Sequence, residues 1–270
     1  MPNSLVHDRY CTEIIEQTRL FRETIADASL RAQVPSCPDW TLRELAVHVG
    51  NAHRWAGETV RSRSTSAVSP KDVPGFDGPE PSAEAGADAA GLDAWLAEGA
   101  QLLSDELRVA GEETPVWTWF TEQRAGFWAR RMTHETLVHR SDAALTVGVE
   151  FEADAEVAAD CVDEWLEIAT SPLAAEHNPS LRTLGERAGA TLHLHATDTS
   201  KTAAAEWLIT LGESDISWLR AHEKADVALR GPLTDVLLVF LRRLPPTSDR
   251  VEVLGDAGLL DFWLERVSFE

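Results

Sequence analysis

The sequence predicts an α+β protein of two domains, a four-helix bundle followed by a small α/β domain. In the first half of the chain, apolar residues recur at three- and four-residue spacing, which is typical of amphipathic helices. After Gly148 the pattern changes, and from Thr191 apolar and polar residues alternate as in half-buried strands. We therefore place the bundle at residues 1–150 and the α/β domain at residues 151–270.

Four helices are predicted in the N-terminal half, over about 5–29, 41–61, 83–109 and 124–146. The second has the clearest start, because Thr41 followed by Glu44 has the form of a capping box, in which two side chains satisfy backbone N–H groups of the first turn. Residues 62–82 are rich in Ser, Pro, Gly and Asp. We expect a long connector there, which could act as a mobile lid over a site.

The C-terminal half mixes helices and strands. Helices are predicted at 153–170, 233–243 and 257–265, and strands at 191–198, 205–211, 225–230 and 250–254. Residues 172–184 are expected to be irregular. Because short strands and helices of this kind cannot bury their apolar faces alone, we expect them to form one small α/β domain packed beside the bundle.

Composition excludes several classes of function. The formal net charge is −21, from 45 acidic and 24 basic residues, whereas nucleic acids and anionic membranes require basic surfaces. No apolar run approaches the roughly 18 residues of a membrane span, and the N-terminus lacks the apolar core of a secretory signal. Cys11, Cys37 and Cys161 are far apart in sequence, so we expect reduced thiols. The sequence therefore indicates a cytoplasmic protein that binds neither nucleic acid nor membrane.

Ionisable residues occupy the inward stripes of two predicted helices. His48 lies on the second helix, while Glu135 and His139 are four residues apart on one face of the fourth. In an antiparallel bundle these stripes can meet, and such groups are costly to bury unpaired. One divalent ion would satisfy all three side chains and keep open coordination positions, as catalytic sites do. Zinc, manganese, iron or nickel would suit two imidazoles and a carboxylate.

Spacing alone does not decide this, because a Glu and a His four residues apart are common by chance. In the alternative interpretation, Glu135 pairs with an arginine such as Arg131, and His139 faces solvent. His53 and His134 are displaced around their helices from the proposed ligands. We expect these two histidines at the surface or behind the ligands.

Five further residues have two possible roles each. Arg140 and Asp142 flank His139, where they either orient the ligands or form an exposed ion pair. Trp40 is expected to be a structural wedge under the start of the second helix, with ligand contact as the alternative. His193 and His195 alternate with leucines on a predicted strand, where they lie on a solvated sheet face or line an interdomain cleft.

The segments CPDWTLRELAVHVG and HETLVHRSDA resemble the mycothiol-dependent maleylpyruvate isomerase family, one of the DinB-like metal-binding helical bundles. The segments HLHATD, GPLTDVLLVFLRR and VEVLGD are similar to the C-terminal domain of that family, which is related to sterol-carrier-protein folds. The resemblance covers nearly the whole chain.

The resemblance implies that His48, Glu135 and His139 bind a divalent metal, commonly zinc, and that mycothiol is the cosubstrate and reacts as a thiolate. It also implies that Arg243 holds an anionic substrate, with Arg242 as the adjacent alternative. We therefore expect a metal-dependent isomerase or thiol S-transferase that acts on an electrophilic small metabolite, as a monomer or weak dimer.

Two other functions stay open, because a fold shared across chemistries does not determine the reaction. One is a metal-dependent hydrolase or lyase that uses metal-bound water, and stimulation of turnover by thiol would distinguish it. The other is a non-catalytic binding protein on the same fold. A complete set of ligands counts against this second alternative.

Overall fold

The computed structural model describes residues 5–82, 86–199 and 205–267. Contacts divide the chain into two compact units, with the division between Phe151 and Glu152. The first unit is helical and the second contains a five-stranded sheet with helices, which confirms the predicted α+β class with two parts. The assignment of residues 1–150 and 151–270 as the two domains stays a prediction.

Four long helices build the N-terminal unit: α1 (His7–Ile25), α2 (Leu42–Arg61), α3 (Ala87–Ala110) and α4 (Ala125–Val147). Helix α4 packs against all three others, so side chains on nearly every face of it are buried, including charged ones. The bundle was predicted, but this degree of enclosure was not. Among the described residues, no helix combines the length and apolarity needed to cross a membrane.

Helix α2 begins where the sequence predicts. Thr41 Oγ1 accepts a hydrogen bond from the backbone N–H of Glu44, and Glu44 Oε2 accepts one from the backbone N–H of Thr41 at 2.7 Å. This capping box satisfies two donors of the first turn. It fixes the start of the helix, and therefore the face on which His48 lies.

A short hairpin precedes α2, where no strand was predicted. It consists of β1 (Gln33–Val34) and β2 (Cys37–Thr41), which pair antiparallel. Strands this short, with Pro38 inside β2, carry no alternating pattern that would reveal them. The hairpin holds Ser36 and Trp40 beside α2 and α4, because β1 and β2 contact these helices.

The connector at residues 62–82 is tied to the bundle. Trp55 Nε1 on α2 donates to the carbonyl of Val68 at 2.8 Å, and Trp95 Nε1 on α3 donates to the carbonyl of Gly75 at 3.0 Å. These bonds hold the segment against two helices along its length. The proposed role as a mobile lid therefore gains no support from its contacts.

The C-terminal unit contains α5 (Ala155–Ala169), α6 (Ala174–His177), a 3-10 helix (Pro179–Arg187), β3 (Thr191–Ala196), β4 (Glu206–Leu211), β5 (Ile216–Leu219), β6 (Val227–Gly231), α7 (Leu233–Phe240), β7 (Glu252–Gly255) and α8 (Ala257–Arg266). The sheet order is β5-β4-β3-β6-β7, and only the β3–β6 pair is parallel. The edge strand β5 and the short helices after α5 were not predicted.

The two faces of the sheet differ. One face carries buried apolar side chains, among them Leu192, Leu194 and Trp207. His193 and His195 alternate with these leucines and therefore lie on the opposite face. The predicted alternation on this strand is thus confirmed, and it places two imidazoles side by side.

Helix α7 ends at Phe240, three residues before its predicted end at residue 243. The reason is local, because Arg242 adopts a left-handed backbone conformation with φ of 64°, which a helix cannot continue through. Arg243 therefore lies in the turn after the helix. Its guanidinium donates to the carbonyl of Leu241 at 2.8 Å.

Candidate metal centre

The structure brings together the side chains of the three predicted ligands. His48 on α2 places Nε2 2.9 Å from Oε1 of Glu135 on α4, and His139 places its Nε2 3.2 Å from the same oxygen. One ligand atom from each residue lies within 4.8 Å of the others. This metal-centre cluster (His48, Glu135 and His139) joins two helices, and its role in binding a metal stays a proposal.

Asp142 orients His139 from behind. The Asp142 side chain is fully buried, and its Oδ2 lies 2.9 Å from Nδ1 of His139. Ser36, at the turn of the hairpin, donates from Oγ to the other Asp142 oxygen at 2.5 Å. A carboxylate at Nδ1 holds the imidazole proton there and directs Nε2 towards the cluster. Of the two alternatives for Asp142, the orienting contact is the one observed.

Arg140 takes no part in the cluster. Its Nε donates to Oε1 of Gln17 on α1 at 2.8 Å, and its guanidinium lies over the ring of Phe151 at 4.3 Å. The side chain is buried, so it does not form the exposed ion pair that was the alternative. Its contacts instead support the packing of α4 against α1.

Glu135 has two different neighbours, one for each oxygen. Oε1 faces the two imidazoles, while Oε2 lies 3.3 Å from the guanidinium of buried Arg131. The alternative interpretation had two parts. Its first part, that Glu135 pairs with an arginine, is correct for Oε2. Its second part, that His139 faces solvent, is wrong because His139 is only 8% exposed.

Trp40 lies beside the cluster. Its ring centroid is 4.7 Å from that of His48, with the planes tilted by 39°, and 6.1 Å from that of His139. The tryptophan therefore packs on a proposed ligand, and it is not only a wedge beneath the helix start. Such contact shields one side of His48 from water.

His53 and His134 lie in the interior, so of the two positions expected for them, at the surface or behind the ligands, the surface position is wrong for both. His53 Nε2 lies 2.8 Å from Oγ1 of Thr136, and His134 contacts the ring of Tyr10 edge-on. His134 is buried because its own helix, α4, is enclosed by the other three helices, whereas His53 on α2 is buried where that helix packs against α4. Neither histidine contributes to the metal-centre cluster.

The electrostatics of the cluster depend on its mutual hydrogen bonds. Burial opposes ionisation of Glu135, but hydrogen bonds from His139 and His48 outweigh it and hold the pKa of Glu135 well below its usual range. Burial likewise favours neutral His139, but hydrogen bonds to Asp142 and Glu135 outweigh it and raise the pKa of His139 to about 9. Two carboxylates thus stabilise positive charge at this point.

The donor set fits a divalent ion. Two imidazole nitrogens and one carboxylate oxygen face one another across the cluster, and the Asp142 contact reserves Nε2 of His139 for it. Nitrogen and oxygen ligands of this kind suit zinc and its neighbours in the first transition row. Three protein ligands would leave coordination positions open, as in catalytic sites.

A second group of side chains that could hold a metal ion lies in the C-terminal unit. It comprises His193, His195, Glu206 and His222, with one ligand atom of each within 4.8 Å of the others. The two histidines of β3 were predicted on one face of a strand, whereas no role was predicted for Glu206 or His222. The alternation of histidines on one strand was the available signal, and the other two residues come from elements distant in sequence.

Arg243 is half-buried in the C-terminal unit, and exposed Arg242 precedes it. The predicted contact of Arg243 with an anionic substrate stays a prediction.

Comparisons with known proteins match both parts of the chain. Residues 11–144 match the family model described as the mycothiol maleylpyruvate isomerase N-terminal domain, and residues 156–262 match the C-terminal domain model of the same family. No curated protein matches the sequence significantly.

Two solved structures are similar. One is described as the crystal structure of the mycothiol-dependent maleylpyruvate isomerase, with a TM-score of 0.55 and 13% identity, over 92% of this chain and 93% of that one. The other, a UbiJ-SCP2 ubiquinone synthesis protein, has a TM-score of 0.29 and 18% identity, over 41% of this chain and 92% of that one. The first supports the two-part α+β fold.

Proposed function

The chain belongs to the mycothiol maleylpyruvate isomerase family, and on that premise we propose a divalent-metal-dependent enzyme that uses mycothiol. It would activate the thiol as thiolate for isomerisation or S-transfer on an electrophilic small metabolite. The observation that carries the proposal is the metal-centre cluster, in which His48 and His139 meet at one oxygen of Glu135.

The residues of the site fall into those that would hold the ion and those that would position its ligands. His48, Glu135 and His139 would hold the ion, for which zinc is the first candidate. When bound, a divalent ion lowers the pKa of a neighbouring thiol, so that thiolate is available near neutral pH. Asp142 keeps the proton of His139 on Nδ1. Arg131 engages Oε2 of Glu135 and leaves Oε1 for the ligand role.

The thiolate of mycothiol, and no protein side chain, is the proposed nucleophile. Its sulfur adds to an electrophilic carbon of a conjugated double bond of the substrate, and the π electrons of that bond move onto the conjugated carbonyl to give an enolate. In isomerisation, rotation about the former double bond is followed by expulsion of the thiolate, which restores the double bond. In S-transfer, the enolate takes up a proton and the bond to sulfur stays in the product. We propose that Arg243 holds an anionic group of the substrate, with Arg242 as the alternative. The acidic balance of the chain supports a protein without nucleic-acid or membrane partners. The free cysteines support the cytoplasmic location that we propose.

Metal content and thiol dependence test the proposal together. The metal content of each purified protein is measured by mass spectrometry. Glu135→Ala and His48→Ala should each contain about one divalent ion per chain less than the parent. An exposed histidine outside the cluster provides the control, because His177→Ala should lose none. Circular dichroism checks that the variants fold. Equal metal in the parent and Glu135→Ala would overturn the metal site.

Turnover of maleylpyruvate and related electrophiles then separates the chemistries. We expect mycothiol to stimulate turnover by the parent but not by Glu135→Ala. Metal-dependent turnover without any thiol would favour the hydrolase or lyase alternative. A loaded protein that binds thiol but turns over no electrophile would favour the non-catalytic binding protein.

A further inference from the structure

The second cluster forms where two strands and a loop meet on the polar face of the C-terminal sheet. His193 and His195 are two residues apart on β3, so they project from the same face. Glu206 lies directly opposite His195 in the antiparallel register of β3 and β4. His222 comes from the loop at residues 220–226, which joins β5 to β6. We call these four residues the sheet cluster.

Three imidazoles converge on one oxygen of the sheet cluster. The distances to Glu206 Oε2 are 3.0 Å from His193 Nε2, 3.3 Å from His195 Nδ1 and 2.6 Å from His222 Nδ1. The ring centroids lie 5.3 to 5.6 Å apart. A carboxylate oxygen offers two lone pairs, which is fewer than the three ring nitrogens gathered around it. An ion that accepts one lone pair from each side chain removes this mismatch.

The loop that supplies His222 is anchored at both ends. Arg220 at its start pairs with buried Asp163 on α5 at 2.6 Å. Asp226 at its end accepts hydrogen bonds from the backbone N–H and the hydroxyl of Thr191 at 2.8 and 2.9 Å. These contacts hold the loop beside β3 and β4. His222 is therefore presented to the cluster by a fixed frame, although its own side chain is 73% exposed.

From this geometry we propose that His193, His195, Glu206 and His222 form a second divalent metal site, independent of the bundle. Three nitrogens and one oxygen make a four-ligand set, the usual number for tetrahedral zinc. A site with all four positions taken by protein is closed, so its role is structural. It would clip the 220–226 loop to β3 and β4.

The electrostatic environment of His193 agrees with a neutral ligand at that position. Burial, aided by the nearby His195 and His222, lowers the pKa of His193 despite the opposing effect of Glu206. Neutral imidazole is the form that binds a metal, since its lone pair is then available. The carboxylate of Glu206 supplies the single negative charge of the set.

The test uses full-length protein in which the bundle site has been removed by His48→Ala with Glu135→Ala. The protein is stripped with chelator, checked for folding by circular dichroism and titrated with Zn²⁺. We expect this background to bind about one zinc per chain. Adding His222→Ala should weaken zinc binding by at least about 100-fold. Loss of a residue that only hydrogen-bonds to a metal ligand costs less than this. Adding His177→Ala, a change of an exposed histidine outside both clusters, should leave binding unchanged.

Thermal unfolding and Co²⁺ absorption provide further readouts. Zn²⁺ should raise the Tm of the background protein but not that of the same protein with His195→Ala and His222→Ala, and bound Co²⁺ should give the strong visible bands of tetrahedral coordination. A folded background protein that takes up no Zn²⁺ would overturn the proposal. Equal Zn²⁺ uptake with and without His195→Ala and His222→Ala would overturn it as well. Because the bundle site is absent in every sample, these outcomes do not depend on the proposed function.

Discussion

Asp142 Oδ2 lies 2.9 Å from Nδ1 of His139, less than one helical turn away along α4, and the Asp142 side chain has no exposed surface. The buried carboxylate accepts the Nδ1 proton, so Nε2 is the ring nitrogen that faces Glu135. Ser36 fixes the second Asp142 oxygen from the hairpin. The pair therefore links the hairpin to the orientation of a proposed metal ligand.

Replacing Asp142 with Ala should weaken zinc binding at the bundle by about 10- to 100-fold, because His139 loses the partner that orients it. Asp142→Asn should weaken it less, since the amide oxygen can still accept the Nδ1 proton. Competition with a chromophoric chelator measures both affinities, with the sheet cluster disabled by His222→Ala. Parent-like affinity in Asp142→Ala would show that the contact does not position the ligand.

His53 should make the protein sensitive to acid. Burial, aided by the charge of Arg54, lowers the pKa of His53 to about 3, whereas a histidine of the unfolded chain takes up its proton near pH 6.5. The unfolded state therefore binds more protons between these values, and stability falls as the pH falls. Between pH 7 and 5 the loss from this residue is up to about 2 kcal/mol.

Urea unfolding of the parent and His53→Gln at pH 7 and pH 5, both in chelator, measures this effect. The parent should lose more free energy of unfolding than His53→Gln over that interval. Exposed His177→Gln should behave like the parent. Equal losses in the parent and His53→Gln would mean that His53 does not stay neutral in the folded state.

Two helical glycines should respond oppositely to alanine. A Cβ on Gly50 of α2 would overlap the ring of Trp95, whereas a Cβ on Gly91 of α3 would meet only Pro79 at 3.7 Å, an ordinary contact. Gly91→Ala should therefore stabilise the protein by up to about 1 kcal/mol through helix propensity. Gly50→Ala should destabilise it by roughly 1–3 kcal/mol, because overpacking outweighs that gain. Thermal unfolding of both variants provides the comparison, and stabilisation by Gly50→Ala would refute the tight contact.

The connector at residues 62–82 should resist protease because two indole N–H groups hold it. Changing Trp55 and Trp95 together to Phe keeps large rings but removes both donors. We expect trypsin to cut after exposed Lys71 several-fold faster in this variant, as followed by mass spectrometry. Cutting of the parent at the rate of the variant would instead favour the mobile lid.

Local patterns in the sequence were sufficient for the helical framework. Thr41 and Glu44 predicted the start of α2 because a capping box involves only neighbours in the chain. Glu135 and His139 were placed on one face of α4 because their spacing matches the helical repeat. The alternation around His193 and His195 placed both histidines on one face of a strand for the same reason.

Contacts between distant segments could not be read in this way. His53 and His134 were expected at the surface or behind the ligands. Their burial follows from the packing of α2 against α4 and from the enclosure of α4 by three helices. The hairpin and the edge strand β5 are too short to carry a periodic signal. Glu206 and His222 had no local sign of any relation to His193.

The sequence by itself determined the α+β class, the bundle, and the face of its own element on which each candidate ligand lies. Only the tertiary structure decided which side chains meet, such as Ser36 with Asp142, or His222 with Glu206. The physical reason is that helix and strand periodicity depends on backbone hydrogen bonds between near neighbours or in a regular ladder. Contacts between elements depend instead on how buried surfaces fit together across the whole unit.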